Sequence, residues 1–349
     1  MDSARTWRGG QNQVLLTAHG QARRGHTVSL ACQAGGVLEA RAHEAGLEVH
    51  PLRFQGDLSP LAALQLLRLA AGRRPDVLHL HDPHALVPGL LAARATLTAR
   101  TVATRRVDFP LRGGLSRFKY RSCSRLIGVS RGVLDVLRAG GVLEQRLRLV
   151  YEGVPDRRPQ PGGQAVLEEL GIPAGAPLVG NIAALTDHKD HRTLLEAAAR
   201  LLGEKPEARF LIVGEGELES ALRAQARALG IAERVVFAGF RCDLDRLIPC
   251  FDVFCLSSHM EGLGTSLLDA MAFGRPVVAT AAGGIPEAVE DGVSGRLVPV
   301  RDPHALAQAL VGLLGDESLR REMGRAGRRI YEERFTAERM VDATLAAYA

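Results

Sequence analysis

Short β-branched or apolar runs alternate with helical patterns along almost the whole of this chain. This alternation constrains the fold more than any other feature, because strand, helix and strand in succession build parallel sheets with crossover helices. The fold class is therefore α/β. Strands are expected at 27–32, 47–52, 76–81, 101–104, 126–129 and 148–151, and again at 178–182, 209–213, 234–238, 253–256, 276–280 and 296–298. Ser59 before Pro60 reads as an N-cap with proline in the first helical position, and Ser130 caps a helix that stops at Gly140 and Gly141. The stretches 303–314 and 319–348 are helical in pattern. Between the two halves lies DRRPQPGG, residues 156–163, with no apolar residue but proline, so a domain boundary belongs there. The 349 residues thus divide into a Rossmann-like domain over 1–155, a second over 164–330, and a C-terminal helix over 331–349 that packs back toward the first domain.

One place breaks the pattern. The helix expected over 10–24 follows a Gly-rich turn and calls for an apolar strand before it, yet only MDSART precedes Trp7. The first strand reads as truncated or absent, and the chain as starting too late. Such a strand is central in a doubly wound sheet, so its loss leaves both neighbours with open edges. MDSART supplies at most a short polar stub.

Composition excludes several classes. At 46% hydrophobic and 24% charged residues the chain is globular and not disordered. No apolar run approaches the ~20 residues that span a bilayer, and the N-terminus is too polar for a signal peptide, so a cytoplasmic protein is expected. Five cysteines without a CxxC pair (Cys32, Cys123, Cys242, Cys250, Cys255) argue against a disulfide framework or structural zinc and for reduced, mostly buried thiols. The net charge of +5 allows an acidic partner, but all of the basic residues except Lys119, Lys189 and Lys205 are arginine, as GC-rich coding would also produce. Aromatics at 4% are too few for base-stacking platforms, so nucleic acid is not the expected partner.

The densest chemistry lies in SSHMEGLGTSLLDAMAFGRP, residues 257–276. A strand there runs into a turn holding Gly262 and Gly264, and a helix opens near Thr265 and Ser266. Free amides and the positive end of a helix dipole then stand at the C-terminal edge of a parallel sheet, where α/β folds bind phosphorylated ligands. Glu261 in the turn and Asp269 just over one turn into the helix can face one ligand, and a hydroxyl-rich sugar or ribose suits two carboxylates. The plainer alternative is a surface loop with two solvated acids. Lys189, in the loop TDHKDH after another strand, can neutralise a diphosphate as a point charge. His188 and His191 beside it make only weak evidence for a metal, and none is expected.

Other motifs are less specific. GEGE at 214–217 lacks the third glycine of a dinucleotide fingerprint and reads as a tight strand-to-helix turn. WRGG, with Gly9 and Gly10, can approach a phosphate. His81 ends a strand in HDPH and points to the ligand side of the first domain, unless it is a satisfied structural histidine. Residues 105–125 carry Arg105, Arg106, Arg112, Arg117, Lys119, Arg121 and Arg125 against Asp108 alone, interleaved with Phe109, Leu111, Leu115, Phe118 and Tyr120. That mix fits an anionic membrane surface or a lipid phosphate; a solvated basic helix explains it equally well.

EGLGTSLLDAMAFGRPVVAT followed by GGIPEAVEDGVSGRLVP resembles the retaining glycosyltransferases of family 4, with their E-x7-E motif and GT-B architecture of two Rossmann-like domains facing across a cleft. The resemblance extends through WRGGQ, HDPHA, VSRGV, VYEGV and VGNIAALTDHKDH. It implies that Glu261 approaches the donor sugar, that Gly262, Gly264, Thr265 and Ser266 line the diphosphate, that Lys189 neutralises it, and that Asp269 binds the ribose. Gly239, Phe240 and Arg241 then border the base, and Gly9 and Gly10 close over the phosphates. Three positions depart from the family: Asp269 stands where it has Glu, no Arg follows VG at 179–180, and Arg106 stands where many members have a histidine, so that His81 or Arg106 takes over part of that role.

The resulting expectation is a retaining, metal-independent hexosyltransferase that needs no cofactor beyond its nucleotide diphosphate sugar. It would work in cell-envelope glycan or lipopolysaccharide synthesis on a glycan or lipid-linked acceptor, in the cytoplasm or peripherally at the inner face of the cell membrane. The alternatives are a noncatalytic nucleotide-sugar-binding subunit and a GT-B nucleotide-sugar epimerase.

Overall fold

The computed structural model describes residues 1–56, 59–97, 100–111 and 113–349. They form two compact units, Met1–Gly153 with Ala337–Ala349, and Val154–Thr336. Every strand read from the sequence is present, within one or two residues at each end in most cases. The first unit contains β1 (Ser29–Gln33), β2 (Glu48–Leu52), β3 (Val77–Leu80), β4 (Arg100–Arg105), β5 (Arg125–Gly128) and β6 (Leu147–Leu149); the second contains β7 (Leu178–Ile182), β8 (Arg209–Val213), β9 (Val235–Phe237), β10 (Val253–Leu256), β11 (Val277–Thr280) and β12 (Gly295–Val298). All of their pairings are parallel.

The second unit has one continuous sheet in the order β12-β11-β10-β7-β8-β9. Its central strands are buried on both faces, β10 and β11 along their whole length, as strands covered by helices on either side must be. Val253, Cys255, Phe210 and Ile212 pack there against Leu194, Leu195 and Leu201 of the helix His191–Glu204 and Leu306 and Leu310 of the helix Pro303–Gly315.

The first unit is split. Its strands form a two-stranded sheet, β1-β2, and a four-stranded sheet, β3-β4-β5-β6. Its core is divided accordingly: Leu30 and Cys32 pack with Val14 and Leu38, while Leu66, Leu80, Leu86 and Leu126 form a larger group. At the start of the chain Asp2 bridges Cys32 in parallel and Met1 N donates to His79 O of β3. The expected caps are in place: the Ser59 hydroxyl accepts from Ala62 N and that of Ser130 from Val133 N.

Three details differ from the sequence reading. Residues 156–163 are not free linker, because Asp156 pairs with Arg328 at 2.7 Å, Arg157 with Asp245 at 3.0 Å, and Gln160 N donates to Asp245 O at 3.0 Å. The helix expected over 319–348 is two helices, Glu317–Arg334 and Ala337–Tyr348. They are separated at Phe335, whose ring is fully buried and whose carbonyl accepts from Val154 N at 3.0 Å. The C-terminal helix therefore begins at Ala337, and its Met340, Val341 and Ala347 pack on Val102, Ile127 and Val150 of the first unit. Finally, Cys32, Cys123 and Cys255 are buried but Cys242 is exposed, and Cys250 is partly exposed.

Candidate functional site

In the second unit the expected site residues gather at the C-terminal ends of β7 and β10. After β7 the chain makes one turn over Asp187–Lys189 and reverses at Asp190, whose φ of 48° lies in the left-handed region and whose carboxylate caps the next helix, accepting from Thr193 N and from Thr193 Oγ1 at 2.7 Å. This loop is tied to the one after β10: Ser257 Oγ donates to Lys189 O at 3.0 Å and His259 N to His188 O at 2.9 Å. The ties hold the Lys189 ammonium against the Glu261 carboxylate, and the two form an ion pair with side chains only 18% and 12% exposed. Glu261 Oε2 also accepts from Ser258 Oγ at 3.2 Å, and its carbonyl accepts from Gly284 N at 3.0 Å. Such a pair, largely out of water and braced on three sides, is geometrically fixed in a way a surface pair is not.

Gly264 turns the chain from this pair into the helix Thr265–Ala272. Its φ is 91°, and a Cβ there would meet Leu256 Cδ2 at 3.3 Å and Glu261 Cγ at 3.6 Å. Glycine is required for the backbone conformation, and a side chain would also crowd Leu256. Gly264 brings no capping side chain, so the first turn at Thr265 and Ser266 is left without one. That leaves amide donors and a positive dipole end to be met by something else. Asp269 follows one turn later, half-buried, and desolvation pushes its carboxyl up to about 7, with the Arg157 charge opposing and the Asp245 charge adding to the rise. Asp269 thus titrates near neutrality, where the sequence reading had treated it only as a shorter glutamate.

Phe240 is 48% exposed, and its amide donates to Glu215 Oε1 at 3.3 Å. Arg241 is held back by Asp243 through two hydrogen bonds. The GEGE turn packs closely on the neighbouring loop: a Cβ on Gly214 would sit 2.0 Å from Ala183 O. Its glycines allow this close backbone approach at the tight strand-to-helix turn expected there. His191 does not join Lys189. Its buried ring bonds Asn181 Oδ1 at 3.0 Å, Asn181 Nδ2 donates to Cys255 O at 2.9 Å, and burial lowers the imidazole to about 4. His188 Nδ1 lies 3.2 Å from Thr186 Oγ1. Among the described residues no group of His, Cys, Asp and Glu has the arrangement of a metal site.

In the first unit His81 and Arg106 come together, joined by a residue the sequence reading quoted in VYEGV without assigning it. Arg106 Nε lies 2.9 Å from Glu152 Oε1, and the guanidinium donates to His81 O at 3.2 Å and lies 3.2 Å from His81 Nδ1. Burial first, and then the charges of His79, the N-terminus and Arg106, hold His81 well below the usual imidazole range, so it is neutral at pH 7. The signal for Glu152 was its place just beyond the C-terminal end of β6. Gly10, in the first turn of the helix Gly9–Arg23, borders the cluster: a Cβ there would lie 3.7 Å from Arg106 Cδ.

The basic segment 105–125 is only partly a surface. Arg105 is buried and donates to Tyr120 OH at 3.1 Å and to Phe109 O; Lys119 is buried and donates to Pro83 O at 3.3 Å. With Arg106 also turned inward, three of the seven cations have internal partners. Arg117 and Arg121 are exposed on the helix Gly114–Arg121, beside Leu115 and Phe118 at 52% and 59% exposure. Arg112 lies outside the described residues. No described helix is long and apolar enough to cross a membrane.

Comparison with known proteins agrees with this arrangement. Residues 7–158 match the family described as Glycosyltransferase Family 4, and residues 164–330 match Glycosyl transferases group 1. The chain is 31% identical over 292 residues to the lipopolysaccharide core biosynthesis glycosyltransferase LpsE of Rhizobium meliloti, covering 82% of this chain and 79% of that protein. It is 29% identical over 342 residues to the 2-deoxystreptamine N-acetyl-D-glucosaminyltransferase of Streptomyces fradiae, covering 86% and 81%. Among solved structures, Anabaena Alr3699/HepE in complex with UDP-glucose superposes with a TM-score of 0.86 at 23% identity over 99% of both chains. The apo lipopolysaccharide outer core galactosyltransferase WaaB superposes at 0.73 and 16%, also over 99% of both. With both halves matched and a relative of this identity covered over most of its length, the chain belongs to the family 4 glycosyltransferases and has their GT-B fold.

Proposed function

We propose that this enzyme is a retaining, metal-independent glycosyltransferase that takes a sugar from a nucleotide diphosphate donor and places it on an acceptor hydroxyl in cell-envelope glycan or lipopolysaccharide synthesis. The observation that carries the reading is the Lys189–Glu261 pair beside the uncapped first turn of the helix at Thr265. Lys189 and the helix start are two sources of positive potential for the charge that grows on a departing diphosphate, and they act without a metal ion. Glu261, braced by Ser258 and Gly284, orients the sugar. Asp269 meets the ribose and residues 239–241 border the base. In the first unit, Gly9 and Gly10 offer backbone to phosphate, and His81 and Arg106 supply the polar groups of the acceptor side.

The relative named for lipopolysaccharide core biosynthesis supports an envelope acceptor, and the HepE complex with UDP-glucose makes uridine nucleotides the first to try. The exposed Leu115 and Phe118 beside Arg117 and Arg121 support a peripheral site of action at the inner face of the membrane. The test begins with thermal unfolding against a panel of nucleotide diphosphates and their sugars, since a ligand at 100 times its dissociation constant stabilises by ~2.7 kcal/mol. The donor so found is then used for transfer, with the anomeric configuration of the product read by NMR in the presence and absence of a chelator. Inversion of configuration, or loss of transfer on chelation, overturns the corresponding part of the proposal.

A further inference from the structure

His79 and His81 stand two positions apart at the end of β3, so their side chains leave the same face of the strand. Their rings lie one on the other, with centroids 3.9 Å apart and planes tilted by 30°. His79 is tied at both nitrogens: Nδ1 lies 2.7 Å from Tyr348 OH, and Nε2 lies 2.7 Å from Thr104 Oγ1 of β4. Tyr348 comes from the helix Ala337–Tyr348, which belongs to the same unit, and its ring meets that of His79 edge-on at 5.5 Å. His81 is tied at Nδ1 by the guanidinium of Arg106 at 3.2 Å, and Glu152, 2.9 Å from Arg106 Nε, holds that guanidinium in place.

The donors along this chain of contacts assign each proton. Gln21 Nε2 can only donate, and it donates to Tyr348 OH at 2.8 Å, which leaves the phenol proton for His79 Nδ1. His79 Nδ1 is then an acceptor, so the proton of this ring sits on Nε2 and goes to Thr104 Oγ1. Arg106 likewise can only donate, so His81 Nδ1 accepts and its proton also sits on Nε2. A second proton on His81 would have to sit at Nδ1, where it would face the guanidinium donor to donor. Burial acts in the same direction: it holds both imidazoles well below their usual range and pushes the Tyr348 phenol up to about 12, so that each keeps its neutral form.

Taking His81 as a group of the acceptor side, as proposed above, we infer that it works as a fixed hydrogen-bond donor and not as a base, offering Nε2–H to an oxygen of the acceptor, and that Tyr348 is the positioning residue that holds it so through His79. Each contact removes one freedom of the His81 ring. The bond from Arg106 to Nδ1 fixes which way the ring edge points, and the face of His79 fixes its plane. His79 offers a fixed face only while both of its nitrogens are held, and Tyr348 supplies one of the two holds.

The test uses the full chain with isotope-labelled histidine nitrogens, and NMR at pH 7 reads the tautomer of each ring, with His79→Gln and His81→Gln locating the two sets of signals. Both rings are expected in the Nε2–H form; His81 found in the Nδ1–H form or as imidazolium would overturn the proposal. Tyr348→Phe removes the hydroxyl and keeps the ring. It is expected to turn His79 into a mixture of tautomers, to broaden or double the His81 signals, and to lower kcat for transfer by roughly 10-fold with the donor KM unchanged. His81→Gln, which keeps an N–H donor, should retain a kcat about 10-fold above that of His81→Leu. Thr344→Val removes a hydroxyl that donates to Met340 O one turn earlier in the same helix, and as the control for helix stability it should leave kcat as it is. Unchanged His81 signals in Tyr348→Phe, a loss of kcat that Thr344→Val reproduces, or equal kcat for His81→Gln and His81→Leu would each overturn the proposal. The tautomers are read without substrate, so they decide the form of His81 even in a protein that transfers no sugar, a result that would overturn the function proposed above and not the placing of these protons.

Discussion

Lys189 and Glu261 show how much of this site depends on single charges. Each neutralises the other in a setting that is mostly closed to water, so removing one leaves the other without its partner. Lys189→Ala is expected to lower turnover by ~10²-fold or more, the scale of one lost contact to developing negative charge, while the far-ultraviolet circular dichroism stays native. Near-normal turnover in a folded variant would remove Lys189 from the chemistry. Asp269 gives a prediction with a sign. Its carboxyl is raised from 3.8 to about 7 in the folded protein, so between these values the native state holds a proton that the unfolded state has lost. Stability contributed by the neutral acid is complete below about pH 4 and is lost as the pH rises through 7. Relative to wild type, Asp269→Asn should therefore gain stability across that interval, by an amount on the order of 2–4 kcal/mol, and differ little at pH 3.5. Melting curves of both proteins from pH 3.5 to 8 decide it. The same variant should raise the donor KM more than it lowers kcat if this carboxyl meets the ribose.

The helix Gly114–Arg121 shows what an element adds to a charge pattern. Seven cations stand in the segment 105–125, but the fold spends Arg105, Arg106 and Lys119 on internal partners and leaves Arg117 and Arg121 outside with Leu115 and Phe118. An exposed apolar pair flanked by arginines is the arrangement that lets a short helix lie in a headgroup layer. Vesicles with anionic lipid should bind the protein in flotation assays, less so at high salt and after charge reversal of Arg117 and Arg121, and less so again after Leu115→Ser with Phe118→Ser. Reversal of Arg105 or Lys119 should instead cost stability, since each is buried with a defined acceptor. Binding that ignores both salt and the exposed pair would favour a soluble acceptor.

At the scale of the whole molecule the two units differ in how completely their sheets are built. The second has six strands in unbroken order, and the first has its six strands in two sheets around a large cavity. The interrupted sheet of the first unit leaves unpaired strand edges that the second unit's continuous sheet does not have in its interior, and a lower stability is expected for it. Calorimetry should resolve two transitions, the lower belonging to residues 1–153 with 337–349. A nucleotide diphosphate that binds at Lys189 and Thr265 should raise the upper transition and leave the lower one where it is. A single transition that the nucleotide moves as a whole would show the units to be one cooperative block.

What the sequence determined by itself is what neighbouring residues decide among themselves. Periodicity placed all twelve strands, since the pattern of a buried parallel strand is complete within four to six residues. Serine caps at 59 and 130 were legible because a cap bonds its own first turn. The turn at Glu261, Gly264 and Thr265 was legible because a strand, a glycine turn and a helix start are each set by neighbouring residues. Tertiary structure decided what depends on distant partners: that Arg106 answers to Glu152, that His191 turns to Asn181 while Lys189 turns to Glu261, that Asp269 holds its proton to about pH 7, and that residues 335 and 336 break a helix that local propensity would continue. The physical reason is common to all four. Hydrogen-bond pattern and periodicity are local, but the free energy of a buried charge or ring is set by whichever groups the fold brings within a few ångströms, and these come from anywhere in the chain.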